Sequence, residues 1–159
     1  MKTTDLCDKY DTQLHIAEPI GFRSFGRRSE FHGRIETVKC HEDNSFVRAA
    51  LEKDGAGKVL VVDGGASLRC ALLGDNMADL AYQNHWAGII VYGCIRDSVA
   101  ISQIGIGVLA LGTHPRKSAK DKQGVAGVPV RFAGVVFTPG EFVYVDEDGV
   151  VTSREELLP

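Results

Sequence analysis

The sequence lacks the features that define several large protein classes. It has four cysteines in 159 residues and no C-x-x-C pair, so neither a zinc knuckle nor a redox dithiol is predicted. We expect four small, buried side chains instead: Cys7, Cys40, Cys70 and Cys94. No run of about 18 apolar residues occurs, and the polar residues 1–5 lack the apolar core of a secretory signal. These absences predict a cytoplasmic protein that makes no contact with membranes.

A surplus of positive charge is also missing. The formal net charge is −3, whereas a protein that coats phosphate backbones needs a strong positive excess, so direct nucleic-acid binding is not expected. The five histidines show no H-x-x-x-H or H-E-x-x-H spacing, which argues against a histidine metal site. Gly105 and Gly107 precede an apolar run instead of following one, so they do not form a dinucleotide-binding fingerprint.

Helical and strand patterns alternate in the middle of the chain. Apolar spacing predicts three helices, which run from the N-cap residue Asn44 to Gly55, from residues 74–76 to residues 86–88, and over residues 98–103. Short apolar runs predict buried strands over residues 58–62 and 89–92. Two strands joined by a helix predict a parallel crossover.

The last third of the chain has a different pattern. Apolar and other residues alternate over 128–138 and 142–152, with turns at 139–140 and 146–149, which is typical of antiparallel hairpins. A similar extended stretch covers residues 34–40. No repeat or linker divides the sequence, so we predict a single domain over residues 1–159. Its predicted class is α/β, a mixed sheet with flanking helices.

Two polar segments are predicted to meet at one edge of this sheet. The first is the start of the second helix: Gly74, Asp75, Asn76 and Met77. Its free N–H groups suit a carboxylate or phosphate. Arg96 and Asp97 follow the next strand, where ligands gather in α/β sheets. Arg binds carboxylates through two parallel hydrogen bonds, and Asp is a ligand for Mg²⁺ or Mn²⁺. From spacing alone, the simpler interpretation is that Arg96 and Asp97 cap the following helix and pair with surface neighbours.

Two further features leave alternatives open. Residues 116–122 carry four positive charges and one negative charge, and we favour a solvated loop over an anion-binding loop. Asp63 follows a buried strand and precedes two glycines. It either lines the same crevice as Arg96 and Asp97 or caps its own turn.

Longer segments of the sequence resemble one known family. The central ones are residues 59–65, 71–75 and 88–97. Others are Cys7 and Asp8, Gly33, Ile35, residues 37–40, 43–44, 105–107, 139–146 and 148–150. On these segments, which span nearly the whole chain, the sequence resembles the RraA-like family. The resemblance implies a swivelling β/β/α domain, assembled as a homotrimer with sites near the subunit interfaces.

The resemblance implies two different functions. Some members of the family are metal-dependent lyases that cleave 4-hydroxy-4-methyl-2-oxoglutarate and decarboxylate oxaloacetate. Others are non-enzymatic regulators that bind and inhibit ribonuclease E, so ribonuclease E or an RNA helicase is an alternative partner. Because one fold carries both functions, the choice between them depends on the site residues.

In the lyase members, the resemblance assigns a role to each site residue. The backbone of Gly74, Asp75, Asn76 and Met77 and the Arg96 side chain hold the 2-oxo-dicarboxylate substrate. Asp97 binds the divalent cation, Mg²⁺ or Mn²⁺, and Asp75 contacts it through water. Regulator members can lack the metal-binding Asp, so the presence of Asp97 favours a lyase.

One position departs from the lyase pattern. The motif continues with an acidic residue three positions beyond Asp97, where this sequence has Ala100. Longer lyase members also donate an acidic residue from a neighbouring subunit's C-terminal extension, and Glu155 and Glu156 are the candidates here. Both reactions pass through a pyruvate enolate, but only aldol cleavage also needs a base for the C4 hydroxyl proton. We therefore expect oxaloacetate decarboxylation to survive better than aldol cleavage.

Overall fold

A computed structural model describes residues 2–158. The helices are α1 (Thr3–Tyr10), α2 (Ser45–Leu51), α3 (Asp75–Gln83) and α4 (Ser98–Ile101), and a 3-10 turn covers Asp11–Gln13. The first six strands are β1 (Leu14–Ile16), β2 (Arg23–Ser24), β3 (Phe31–Lys39), β4 (Lys58–Asp63), β5 (Ala71–Leu73) and β6 (Gly88–Ile95). The remaining six are β7 (Gly107–Thr113), β8 (Val125–Ala126), β9 (Val130–Phe132), β10 (Val135–Phe137), β11 (Phe142–Asp146) and β12 (Gly149–Ser153).

The main sheet is mixed, as the sequence predicts. Its strand order is β1-β12-β11-β3-β4-β6-β7-β2, and the central strands β3, β4, β6 and β7 are parallel. The outer strands β11, β12, β1 and β2 pair antiparallel. β4 and β6 are adjacent and parallel, with α3 in the connection between them, which confirms the predicted crossover. The predicted α/β class is therefore confirmed.

Strand β4 explains how the two faces of the sheet are buried. Leu60 and Val62 point into a core shared with α2 and α3, whereas Val59 and Val61 point into a core closed by the small β9–β10 sheet. All four side chains are fully buried. A central parallel strand covered on both faces is a continuous apolar run because no position faces water.

Helix α3 ends at Gln83, a few residues before the predicted end at 86–88. His85 adopts a left-handed conformation with φ 69°. Its N–H bonds to the Tyr82 carbonyl, and the Trp86 N–H bonds to the Ala81 carbonyl. This pair of bonds is a Schellman motif, which usually has Gly at the left-handed position. Because His occupies that position here, the stop gave no glycine signal in the sequence.

Residues 128–138 contain a turn that the alternation did not predict. β9 and β10 are joined by Ala133 and Gly134, whose φ angles of 53° and 72° are both positive. Such a two-residue connection is typical of a type I′ hairpin. A hairpin around the predicted turn at 139–140 is wrong, because β10 pairs with β9 in the small sheet and β11 pairs with β3 and β12 in the main sheet. The hairpin around 146–149 is confirmed, because β11 pairs with β12 across the turn after Asp146.

The cysteines match the expectation in part. Cys40, Cys70 and Cys94 are buried, whereas Cys7 is partly exposed. Burial raises the pKa of the Cys40 thiol to about 12, so it stays protonated at neutral pH. Within residues 2–158, no helix has the length and apolar character needed to cross a membrane.

Candidate functional site

The start of α3 and the end of β6 meet, as the sequence predicts. The Arg96 N–H donates to the Leu73 carbonyl at 2.9 Å, and the Asp75 N–H donates to Asp97 Oδ2 at 3.3 Å. A Cβ atom on Gly74 would lie 2.9 Å from Asp97 Oδ2 and 3.5 Å from Arg96 Nε. Glycine at position 74 therefore allows the helix start and the Arg96–Asp97 pair to approach this closely.

Asp97 has an unusual backbone conformation. Its φ of 57° and ψ of 41° lie in the left-handed region, which few residues other than Gly, Asn and Asp adopt. Its carbonyl accepts the first α4 bond from the Ile101 N–H, but its side chain makes no capping bond to α4. The side chain instead turns toward the start of α3. Of the alternative interpretation from spacing, capping by the Asp97 side chain is therefore wrong, whereas pairing with a surface neighbour is observed between Arg96 and Asp97.

Arg96 and Asp97 stay accessible beside each other. Arg96 Nε lies 4.0 Å from Asp97 Oδ2, and their side chains are 40% and 44% exposed. An ion pair this open contributes little to stability because water screens it. The two groups are therefore available to a ligand.

A pocket of about 490 Å³ opens in front of these groups. All six candidate residues from the sequence line it: Gly74, Asp75, Asn76, Met77, Arg96 and Asp97. The remaining lining comes from α2 and the loop after β7, together with Ala71: Asn44, Ser45, Phe46, Arg48, Ala49, Lys117, Lys120 and Lys122. The volume is in the range of small-molecule sites.

Asn44 lies at the predicted N-cap position of α2 but does not cap the helix with its side chain. Its Nδ2 donates to the Leu72 carbonyl at 3.3 Å and lies 3.3 Å from Met77 Sδ. The N-terminal Ser45 N–H bonds to Asp43 Oδ1 at 3.0 Å instead. Asn44 therefore connects α2 to the start of α3, a role that a helix-start signal does not reveal.

The lysine-rich loop is fixed to α2 through Asp43, which is 2% exposed. Asp43 Oδ2 accepts the Asp121 N–H at 2.6 Å, and Ser45 Oγ accepts the Lys122 N–H at 3.1 Å. Burial raises the pKa of Asp43, but hydrogen bonds from Ser45 and from the loop outweigh it, so the pKa lies below its usual value.

Residues 116–122 form an exposed loop that also contributes to the pocket wall. Its lysines are exposed to solvent, as we favoured, and three of them also line the pocket. The lining holds five cationic side chains and two carboxylates, although the whole chain is negative. The cluster of lysines in the sequence was the signal for this wall. A pocket with such an excess of positive charge attracts anions.

The donors present fit one type of metal site. Within residues 2–158, no group of three or more His, Cys, Asp or Glu side chains could hold a metal ion. The pocket does contain Asp97 and Asp75, whose backbone N–H bonds to Asp97. Mg²⁺ is usually bound by one or two carboxylates, with water and substrate oxygens completing its shell. The carboxylates therefore suit an open Mg²⁺ or Mn²⁺ site and do not suit a closed structural one.

The other acidic candidates lie outside the pocket. Asp63 Oδ1 accepts the Gly65 N–H at 2.9 Å, so it caps its own turn. Ala100 is an exposed residue of α4 and does not line the pocket, and neither do Glu155 and Glu156. Position 100, on the helix that follows Asp97, therefore offers no carboxylate to the pocket.

Comparison with known proteins gives a consistent family match. The RraA-like family, described as Aldolase/RraA, matches residues 3–152. A protein of Aromatoleum aromaticum named "Putative 4-hydroxy-4-methyl-2-oxoglutarate aldolase" is 58% identical over 157 residues, which cover 99% of this chain and 98% of that protein. A protein of the same name from Pseudomonas aeruginosa is 54% identical, with 98% and 95% covered.

Two solved structures have nearly the same fold but carry other names. One is titled S-adenosylmethionine: 2-dimethylmenaquinone methyltransferase, from Geobacillus kaustophilus, with a TM-score of 0.97, 48% identity and 99% and 97% of the two chains covered. The other is titled RNA-processing inhibitor RraA, from Thermus thermophilis, with a TM-score of 0.95, 46% identity and 99% and 95% covered. The same fold thus occurs under three functional names, so the site has to discriminate between them.

Proposed function

We propose that this chain, which belongs to the RraA-like (Aldolase/RraA) family, is a divalent-metal-dependent lyase. Its substrates are 2-oxo-dicarboxylates: it cleaves 4-hydroxy-4-methyl-2-oxoglutarate to pyruvate, decarboxylates oxaloacetate, or does both. The observation that carries this proposal is the contact of Asp97 and Arg96 with the start of α3 inside a cationic pocket. The names of the curated relatives support the aldolase activity.

The 2-oxo acid end of the substrate would be held by two groups. The Arg96 guanidinium binds a carboxylate bidentately, and the start of α3 offers backbone N–H groups that lack backbone acceptors within the helix. Two of them bond to carboxylates that the substrate would have to displace: the Asp75 N–H to Asp97 and the Asn76 N–H to Asp75. Gly74, Asp75, Asn76 and Met77 form that start. Together they fix the orientation of the C1 carboxylate and the C2 carbonyl, where negative charge develops.

Both reactions transfer an electron pair to the same place. In aldol cleavage the C4 hydroxyl loses its proton, the C3–C4 bond breaks, and its electrons move through C3 to the C2 oxygen, giving a pyruvate enolate that is protonated at C3. In decarboxylation the bond from C3 to the departing carboxylate breaks and CO₂ leaves, with the same enolate as product. Arg96 stabilises the developing negative charge in each case.

The divalent cation, Mg²⁺ or Mn²⁺, would be held by Asp97 directly and by Asp75 through water. When bound, it supplies Lewis-acid stabilisation of the charge on the 2-oxo acid. Asp75 is then the pocket carboxylate left to accept the C4 hydroxyl proton in aldol cleavage. Because no acidic residue stands at position 100, we expect decarboxylation to be the faster of the two reactions.

Steady-state assays of pyruvate formation test the proposal. The protein is assayed with each substrate in Mg²⁺, in Mn²⁺ and after chelation. We expect turnover with either metal and its loss in chelator, with recovery on metal addition. Absence of pyruvate from both substrates in either metal would refute lyase activity, and aldol cleavage outpacing decarboxylation would refute the expected order.

We also propose a homotrimer in which a neighbouring subunit borders each pocket, so that Glu155 or Glu156 of one subunit can approach the site of the next. Light scattering coupled to size-exclusion chromatography measures the mass. A monomer at working concentration with full activity would contradict this assembly.

A second candidate function is non-enzymatic regulation of RNA processing through binding to ribonuclease E or an RNA helicase. The structural likeness to the RNA-processing inhibitor RraA favours it. Inhibition of ribonuclease E by this protein should then be unaffected by chelator and by Asp97→Asn. Failure to inhibit or bind the ribonuclease in chelator would exclude this function.

A further inference from the structure

Helix α2 fixes one arginine on the pocket wall. Val47 and Leu51 of α2 are fully buried, so the helix is held firmly against the sheet. Arg48 lies between them in sequence and lines the pocket beside Ala49. Arg48 thus comes from a packed helix, whereas the three pocket lysines come from a loop.

The guanidinium of Arg48 is partly restrained on its own helix. Arg48 Nε lies 3.2 Å from Glu52 Oε1 in an i,i+4 ion pair, and Arg48 is 53% exposed. Glu52 is the only carboxylate of residues 2–158 within ion-pairing distance of it. An arginine has five N–H donors in a planar fork, so this contact leaves its terminal groups able to bind a second carboxylate.

The charges of the pocket require a second anionic group. A 2-oxo acid end and a divalent cation would engage Arg96, Asp97 and Asp75. Of the other four cations of the lining, Arg48 pairs with Glu52, which does not line the pocket, and within residues 2–158 Lys117, Lys120 and Lys122 have no ion-pair partner. A ligand with a second carboxylate would supply negative charge to these cations. The planar guanidinium of Arg48, on a fixed helix, selects that carboxylate better than the flexible lysines do.

We propose that Arg48 is the specificity-determining residue that binds the distal carboxylate of the substrate, and that Glu52 is a positioning residue that restrains the Arg48 guanidinium through their ion pair. The inference rests on the proposed function and extends it, because it assigns the end of the substrate that does not carry the 2-oxo group. Arg96 binds the 2-oxo acid end, and Arg48 distinguishes dicarboxylates from monocarboxylates.

The two reactions use the distal carboxylate differently. In aldol cleavage it stays intact and leaves with the second pyruvate, so Arg48 binds it in both substrate and transition state. In decarboxylation the distal carboxylate becomes CO₂, so binding it favours the substrate over the transition state. Removing Arg48 should therefore raise the KM for oxaloacetate without lowering kcat, whereas it should lower kcat/KM for the aldol substrate.

Two pairs of matched ligands test the assignment. The substrates are 4-hydroxy-4-methyl-2-oxoglutarate and 4-hydroxy-4-methyl-2-oxopentanoate, which has a methyl group in place of the distal carboxylate. The binding probes are 2-oxoglutarate and 2-oxopentanoate, measured by calorimetry with Mg²⁺ present. The variants are Arg48→Gln, Arg48→Lys and Glu52→Gln, with Arg131→Gln on the exposed face of β9 as the matched control.

We expect the wild type and Arg131→Gln to prefer the dicarboxylate of each pair equally. Arg48→Gln should reduce that preference by about 10- to 100-fold, the range for a lost charge-assisted bond, while binding of 2-oxopentanoate stays unchanged. Arg48→Lys should restore part of the preference. Glu52→Gln should reduce it by about 2-fold through KM alone, in line with the small strength of an exposed ion pair.

Two results would overturn the assignment. One is an equal affinity of the wild type for both binding probes. The other is an unchanged preference in Arg48→Gln together with its loss in the triple variant Lys117→Met, Lys120→Met, Lys122→Met, which would assign the distal carboxylate to the loop. Failure of the proposed function is seen separately, as absence of turnover in the wild type, and the binding measurements then still decide the role of Arg48.

Discussion

The two walls of the pocket are built in different ways. The wall formed by the start of α3 and the end of β6 joins residues 22 positions apart through a single crossover. The second wall joins α2 to a loop 78 positions further along the chain, through buried Asp43. In the first wall Asp97, whose backbone is left-handed, lies against Gly74, whereas the second wall presents exposed cations.

This difference indicates a division of labour. The first wall has fixed geometry, as a group that stabilises developing charge requires. In the proposed function the second wall supplies positive potential, which tolerates more freedom in the lysine side chains. Changes in the first wall should therefore affect kcat most, and changes in the second should affect mainly KM or stability.

The largest effect is expected from Asp97→Asn. Asparagine also adopts the left-handed conformation, so the backbone is preserved while the negative charge at the metal position is removed. Lyase kcat should fall at least about 100-fold with an unchanged melting temperature. Pyruvate release and thermal denaturation measure the two quantities, and turnover equal to that of the wild type would show that Asp97 has no part in the reaction.

Gly74→Ala tests the close contact of the first wall. The new Cβ would lie 2.9 Å from Asp97 Oδ2, so the carboxylate must move, although the backbone φ of −122° suits alanine. We expect kcat/KM to fall by about 10- to 100-fold, which is the cost of misplacing a reacting group. Gly149→Ala is the matched control, because a Cβ there meets nothing within 4 Å. Equal activity of the two variants would contradict the argument.

Asp43→Ala tests the second wall through stability. Asp43 is buried and accepts hydrogen bonds from the Ser45 and Asp121 N–H groups. Both groups lose their acceptor in the variant. We expect the free energy of unfolding to fall by about 1–3 kcal/mol and KM to rise as the lysine loop loosens. Urea unfolding measures the first effect, and an unchanged midpoint would show that the loop is held by other contacts.

A comparison of the wild type with Asp43→Ala also predicts how stability depends on pH. Because the folded pKa of Asp43 lies below its usual value, its contribution to stability is present above the unfolded pKa of about 3.9 and is lost as the pH falls through the folded pKa. The difference in stability between wild type and Asp43→Ala should therefore be constant near neutrality and shrink at acid pH. Thermal denaturation across that range measures it, and a difference that grows on acidification would reverse the sign.

The smallest effect is expected from single lysines. Lys120→Met should raise KM by about 2- to 5-fold with kcat unchanged, because an exposed charge acts mainly through screened attraction. Added salt should reduce the difference from the wild type. Lys53→Met, an exposed lysine that does not line the pocket, is the control. A large fall in kcat would place Lys120 in the chemistry itself.

The sequence predicted the first wall because its signals are local. The apolar run of β4, the helix start at Gly74 and the polar pair after β6 each lie within a few residues, and the crossover rule brings them together. The missed features depend on single unusual residues. His85 ends α3 and Ala133 begins the turn between β9 and β10, both with positive φ, a conformation that is uncommon for residues other than glycine.

By itself the sequence determined the α/β class, the crossover and the six residues of the first wall, since periodicity and strand ends are properties of neighbouring residues. Only the tertiary structure decided that Asn44, Arg48 and the lysine loop face those residues. The buried carboxylate of Asp43 holds that arrangement together. Its two hydrogen-bond partners, Ser45 and Asp121, are separated by nearly half of the chain. Local patterns carry no information about such a contact, because it depends on how α2 and the loop pack on the finished sheet.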